Sequence, residues 1–234
     1  MDFEDRTVVV TGAGGNLGRA VAAVFTEAGA RLVLTDIDAG KLAQYVGPPS
    51  DRRVLVAADL RARDQAAAVA EAAGSRFGRV DVLCNLAGAF RMGEPVHETS
   101  DATWNFLFDV NARSIITMAA AVIPRMIRSG GGKIVSVAAH AAQKGGAGMG
   151  AYSASKAAVM RLTEAMSAEL REKNVNVNCV LPTIIDTPEN RAAMPAADPS
   201  RWVSPADLAN VVAFLASERS RALHGACVPV TGLV

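Results

Sequence analysis

The sequence predicts an α/β domain, a parallel sheet with helices on both faces, and three observations carry that reading. Short β-branched runs alternate with longer Ala-rich segments of helical period along the chain. A glycine-rich turn separates the first run from the first helical segment, and an acid closes the second run at Asp36. No Pro/Ser-rich linker, repeat or low-complexity tract interrupts the alternation, so the 234 residues are read as one domain, 1–234.

The elements follow in order. A strand at 6–11 ends at Thr11, and glycines 12, 14, 15 and 18 then open a helix near 16–29. The second strand, 31–36, leads into a helix near 38–46, and a third strand at 53–58 into a helix near 61–77. Strand 80–85 precedes a long helical stretch, 100–129, with a break in it. Strand 132–138, helix 152–173, strand 175–181, helix 205–217 and strand 226–230 complete the pattern. The runs are nearly continuous in apolar residues, as strands covered on both faces must be. Residues 182–204 form the longest irregular piece and carry Pro182, Pro188, Pro195 and Pro199. Long loops in compact domains tend to be functional, and this one follows the C-terminal end of a strand, where open α/β sheets bind ligands. It is read as a substrate lid.

Charge and cysteine content narrow the function. With 24 basic and 23 acidic residues the net charge is +1, which provides no long-range field for nucleic acid or an anionic membrane. Small-molecule partners are expected. The start, Met1 to Arg6, is acidic, and no apolar run reaches the roughly 20 residues of a membrane span, so a cytoplasmic protein is expected. Cys84, Cys179 and Cys227 lie in apolar strand contexts without CxxC spacing; buried thiols and no metal site are expected.

Two groups of residues carry chemistry. Tyr152 and Lys156 are four residues apart on a helical segment, hence on one face. A free tyrosine titrates near pH of about 10, and a neighbouring ammonium is expected to lower that value and fit the phenol for acid/base work on an alcohol or carbonyl. The turn 12–18 lets backbone N–H groups at a helix N-terminus approach a pyrophosphate. Asp36, 18 residues after Gly18, stands where an acid meets the ribose hydroxyls of an adenine dinucleotide and repels a 2′-phosphate. Neither Thr35 nor Ile37 offers a compensating cation, so NAD(H) is expected over NADP(H). The bland alternative for Asp36 is a helix cap, a role for which Asp38 is equally placed.

Over essentially its whole length the chain resembles the short-chain dehydrogenase/reductase family. Gly12, Gly18 and Asp36 resemble its cofactor fingerprint, Asp59-Leu60 its adenine-pocket acid, and Asn85-Leu86-Ala87-Gly88 its Asn-Asn-Ala-Gly turn. Asn111, Tyr152 and Lys156 match its catalytic residues, and Pro182 and Thr187 the segment that holds the nicotinamide carboxamide. The resemblance implies a Rossmann-like, doubly wound, seven-stranded parallel sheet. It implies cofactor contacts from Gly12, Gly14, Gly15, Asn16, Leu17, Gly18, Asp36, Ile37, Asp59, Leu60, Asn85, Ala87, Gly88, Tyr152, Lys156, Pro182, Ile185 and Thr187. Catalysis would fall to Tyr152, with Lys156 lowering its pKa and Asn111 holding a water that links the lysine to solvent. Homodimers or homotetramers joined through 112–129 and 152–173 are also implied.

The chain departs from that pattern in places. Asn16 replaces the middle fingerprint glycine, Leu86 the second Asn of the later turn, and Thr183 the glycine after Pro182. The family's substrate-binding Ser lies thirteen residues before its Tyr, and here that position is Ala139. Adjacent His140 is a candidate replacement donor, or else a solvated strand-end histidine. Ser136, further back along the strand, reads as structural. Three readings follow: an ordinary but slower carbonyl/alcohol enzyme, a dinucleotide-binding protein or sensor without catalysis, or an enzyme whose substrate does not need the serine. The last third, with Asp186-Thr187-Pro188, Asn190-Arg191, Ala197-Asp198 and Trp202, is similar to dihydropteridine reductase, whose quinonoid substrate is already electron-poor. Arg191, Arg201 and Trp202 are either substrate contacts or residues that pin the loop to its own domain.

Overall fold

The structure, a computed structural model, describes residues 3–234; Met1 and Asp2 of the acidic start lie outside the described residues. Seven strands form one sheet: β1 Thr7–Thr11, β2 Arg31–Asp36, β3 Arg53–Ala57, β4 Val82–Asn85, β5 Gly132–Val137, β6 Val175–Pro182 and β7 Cys227–Val230. Their order is β3-β2-β1-β4-β5-β6-β7, and every pairing is parallel. The chain winds outward from β1 to β3, then returns to place β4 on the other side of β1. That reversal opens a crevice at the C-terminal ends of β1 and β4, beside Thr11 and Asn85.

Helices α1 Asn16–Glu27, α2 Ala39–Val46 and α8 Pro205–Ala216 cover one face; α3 Arg63–Phe77, α5 Ser114–Arg128 and α6 Gly150–Leu170 cover the other. Alternate residues of each strand enter opposite cores, as Val8 and Val10 do against Val9 in β1. Thr7 to Thr11 are all buried, which is why these strands read as unbroken apolar runs.

Polar order also enters the sheet's lower end. Asp81, 4% exposed, accepts the Thr7 N–H at 2.9 Å and pairs with Arg6 at 3.2 Å and Arg79 at 2.6 Å. Its carboxylate fixes where β1 starts relative to β4.

Several expectations need correction. The segment 182–204, expected to be a lid, is not irregular throughout: it contains α7 Pro188–Ala193 and a 3₁₀ turn at Pro199–Arg201. The Thr187 side chain caps α7 and Pro188 opens it, an N-cap and N1 pair that the density of prolines disguises. The stretch 86–100, between β4 and α4 Asp101–Phe108, is the more irregular one, with a single short turn at Val96–Glu98. The break in 100–129 is a wide, π-type turn at Asp109–Arg113 between α4 and α5. The continuous helical stretch Asp101–Arg128 is also long and apolar enough to cross a membrane, contrary to expectation, with half of its most apolar window buried in the protein. It is apolar on two faces: Met118, Val122 and Met126 enter the core, while Ile116 and Ile127 face outward.

Candidate active site

The glycine turn is built around Thr11. Its hydroxyl accepts the N–H groups of Leu86 and Ala87, each at 3.0 Å, and so ties the first turn to the loop after β4. Gly12 has φ +64°, and a Cβ there would lie 2.9 Å from the Ala87 nitrogen; a Cβ on Gly18 would strike the Gly12 carbonyl. Both positions therefore need glycine for close approach. Gly15 precedes α1 without a side-chain cap, leaving the first N–H groups of that helix free to meet an anion.

Asp36 closes β2 at the rim of the same cleft. Its carboxylate accepts the Gly14 N–H at 3.0 Å and the Asp38 N–H at 3.3 Å. The helix cap is Asp38, which accepts from Lys41 at 3.0 Å, so Asp36 is not spent on capping. The cleft has a volume of about 510 Å³ and is lined by Gly12, Gly15, Asn16, Leu17, Gly18, Asp36, Ile37, Asp59, Leu60, Ala87, Gly88 and Thr187. Gly14 lies just outside it, against Asp36 and Lys41. Asp59 forms a two-oxygen pair with Arg61, whose hydrogen bond holds its carboxyl below the usual range and brings a cation to the cleft wall.

The second cluster stands on α6 and the π-type turn. Tyr152 and Lys156 share one face of α6, and Lys156 is 5% exposed. Its ammonium donates to the Val137 carbonyl at 2.8 Å, and burial lowers its pKa to about 8. Asn111, 1% exposed, accepts the Ala89 N–H at 2.8 Å and donates to the Ala89 carbonyl and the Ser155 hydroxyl, both at 3.0 Å. Gly88 leaves room for both: a Cβ there would lie 3.1 Å from the Asn111 Oδ1 and the Lys156 Nζ. The lysine and Asn111 are thus packed against the floor of the cleft.

Here the expectation about the phenol is corrected. Burial raises Tyr152 to about 12, and no charge from Lys156 offsets it. The lysine's described hydrogen bond goes to a carbonyl, and a pKa of about 8 leaves its ammonium mostly charged at neutral pH. The Asn111 side chain is likewise occupied by Ala89 and Ser155, so it supports the loop and the helix. Tyr152 packs edge-on against Phe90, ring centroids 4.8 Å apart, and borders a recess of about 170 Å³ lined also by Arg91, Met92 and Met149.

Other residues fall elsewhere. Asn85 is buried, and its side chain donates to the buried Ser136 hydroxyl at 3.3 Å, away from the cleft lining. Pro182 ends β6, and Ile185 packs toward the core in a bridge with Val203, so neither lines the cleft. Arg191 forms a bidentate pair with Asp186 at 2.6 and 2.8 Å, Arg201 donates to the Leu233 carbonyl, and Trp202 is 7% exposed. Arg201 and Trp202 hold the 182–204 segment to the rest of the domain, whereas the Arg191–Asp186 pair lies within that segment. Ala139 is 4% exposed at the end of β5, while His140 is exposed at the start of a 3₁₀ turn. Sequence reasoning missed the Thr11 hydroxyl, Ser155 and Phe90; the first carries a faint signal, a threonine ending a strand just before a glycine turn.

Comparison with known proteins agrees with this geometry. The short chain dehydrogenase family profile matches residues 6–197. The chain is similar to cis-4-hydroxycyclohexanecarboxylate dehydrogenase of Sinomonas cyclohexanicum, 32% identical over 98% of this chain and 96% of the relative. Among solved structures, a short-chain glucose/ribitol dehydrogenase from Brucella melitensis superposes with a TM-score of 0.87 at 34% identity, covering 99% and 97% of the two chains. A 3-ketoacyl-(acyl-carrier-protein) reductase from the same organism, complexed with NADH, gives a TM-score of 0.89 at 29% identity and covers 98% of each chain. The profile match, the seven-stranded order and the glycine-lined cleft place this chain in the short-chain dehydrogenase/reductase family, NAD(P)-binding oxidoreductases acting on alcohol and carbonyl groups.

Proposed function

We propose that the protein is an NAD(H)-preferring reductase or dehydrogenase of a small carbonyl or alcohol, with Tyr152 as its acid/base. The observation that supports this reading is that Lys156 and Asn111 pack behind Gly88 on the wall of a cleft whose far rim is Asp36, with Tyr152 one turn before Lys156 on the same face of α6 and bordering its own recess. The cradle fits a dinucleotide: Gly12 and Gly18 leave room for close backbone approach, the uncapped start of α1 would hold a pyrophosphate, and Asp36 would receive ribose hydroxyls. Asp36 also disfavours a 2′-phosphate. When bound, the nicotinamide supplies or accepts the hydride.

The chain's residues handle the proton. A phenol raised to about 12 stays protonated at neutral pH and is suited to donate to an oxygen that gains negative charge. The Lys156 ammonium, where charged, stabilises the phenolate left behind. Residues 182–204 act as a lid: α7 reaches the glycine turn through Glu189, whose carboxylate accepts the Asn16 side-chain N–H at 2.7 Å.

A second reading has one supporting observation. Ala139 supplies no hydroxyl at the enclosed end of β5, which suits a quinonoid substrate that needs no polarised carbonyl. Turnover with 4-deuterated NADH, assayed over ketones, aldehydes and a quinonoid dihydropterin, separates the two. Carbinol carrying carbon-bound deuterium supports the first reading; NADH-dependent formation of tetrahydropterin alone, with a primary isotope effect because its new N–D bonds exchange with water, supports the second; turnover with NADPH at equal or greater rate would overturn the cofactor preference.

A further inference from the structure

Cys179 and Cys227 are partners in register where β6 pairs with β7, with their sulfurs 3.4 Å apart and both thiols free. Cys179 is enclosed, but Cys227 is only half-buried because β7 is the sheet's edge strand, a correction to the expectation that all three thiols are buried. A disulfide needs sulfurs about 2.05 Å apart on Cα atoms about 4.4–6.8 Å apart. Paired strands lie about 4.7–4.9 Å apart, within that window, so closure asks only for side-chain rotation. Both cysteines pack in the core beneath α6, where Thr163 contacts Cys179 from a position seven residues after Lys156, on the same helix face. Cys84, in β4 on the opposite face, has no such partner among the described residues.

We propose that Cys179 and Cys227 form a reversible modification site, a dithiol that closes to an intramolecular disulfide when a hydroperoxide reaches Cys227. The Cys227 thiolate attacks one peroxide oxygen; the O–O bond breaks, the departing oxygen leaves as water or alcohol, and Cys227 becomes a sulfenic acid. The Cys179 sulfur then attacks that sulfenic sulfur, the S–O bond breaks, and the hydroxyl leaves as water with the thiol proton. The two sulfurs together lose two electrons, which reduce the peroxide. The order follows from access: burial pushes the Cys179 thiol up and makes it a poor first nucleophile, whereas the edge position leaves Cys227 partly accessible.

The test uses the whole wild-type protein. It is treated with hydrogen peroxide, unfolded in N-ethylmaleimide, and mapped by peptide mass. The expected result is a linked Cys179–Cys227 peptide with Cys84 alkylated, reverting to three alkylated cysteines after dithiothreitol. A Cys227→Ser protein should give no linked peptide and keep Cys179 alkylated. Cys227 recovered as sulfinic acid beside alkylated Cys179, or joined to Cys227 of a second chain, overturns the proposal.

Discussion

At the residue scale, the distance between Tyr152 and Lys156 in titration behaviour is the feature to test. Burial holds the phenol near 12 and the ammonium near 8, so the phenol carries its proton throughout the neutral range while the lysine loses its charge as pH rises through about 8. If the charged lysine stabilises the developing phenolate, kcat/KM for carbonyl reduction is full below that value and falls above it. A pH profile extended to about 10 checks this, and a flat profile contradicts it. Ala139→Ser restores a hydroxyl at the strand end; with a ketone substrate it should raise kcat, by up to the roughly 10²–10³ that one oxyanion donor is worth. With a quinonoid substrate it should change little. The pairing of Tyr152 and Lys156 was legible from their spacing alone. The lysine's bond to Val137 was not, because it depends on how deeply α6 sinks beside β5, which no local pattern records. Asn85 misled for a similar reason: its type and neighbours matched a cofactor turn, while its side chain went to Ser136 across the sheet.

At the scale of elements, the lid and the glycine turn are joined by one contact spanning 173 residues of sequence, Asn16 to Glu189, while Arg19 also holds Asn16 and sits over the Tyr45 ring. Asn16 is the residue that departs from the family's glycine, and here it does work that a glycine cannot. Asn16→Ala should speed NADH release about twofold to thirteenfold, the range of a net hydrogen bond of roughly 0.5–1.5 kcal/mol, and stopped-flow fluorescence reads it. An unchanged release rate would remove the contact from the lid's action. At the other end of the sheet, Asp81→Ala leaves the wholly buried Thr7 N–H without its acceptor. Because Arg6 and Arg79 are about half exposed and remain hydrated, the loss should be about 1–3 kcal/mol in urea unfolding, less than for stranding a buried charge. Strand positions were readable from apolar runs; α7 was not, because six residues opened by a proline resemble a loop unless Thr187 is recognised as its cap.

Across the whole molecule, the sheet reversal gathers residues from β1, β2, β4, α6 and the lid around one crevice, an arrangement the linear sequence conveys only through motifs in order. The outer side of α5 carries Ile116, Ala120, Ile123 and Ile127 at helical spacing, with Ile116, Ala120 and Ile127 exposed and Ile123 partly buried against the core. Association through α5 and α6 follows as a prediction: sedimentation should find a dimer or tetramer, and Ile116→Glu with Ile127→Glu should shift it toward monomer. Tyr152→Phe, measured for NADH binding and for NADH-dependent turnover in one preparation, addresses the proposed chemistry most directly. The proposed role of the phenol predicts near wild-type binding with turnover abolished. Turnover that survives the loss of that hydroxyl would mean that another group moves the proton.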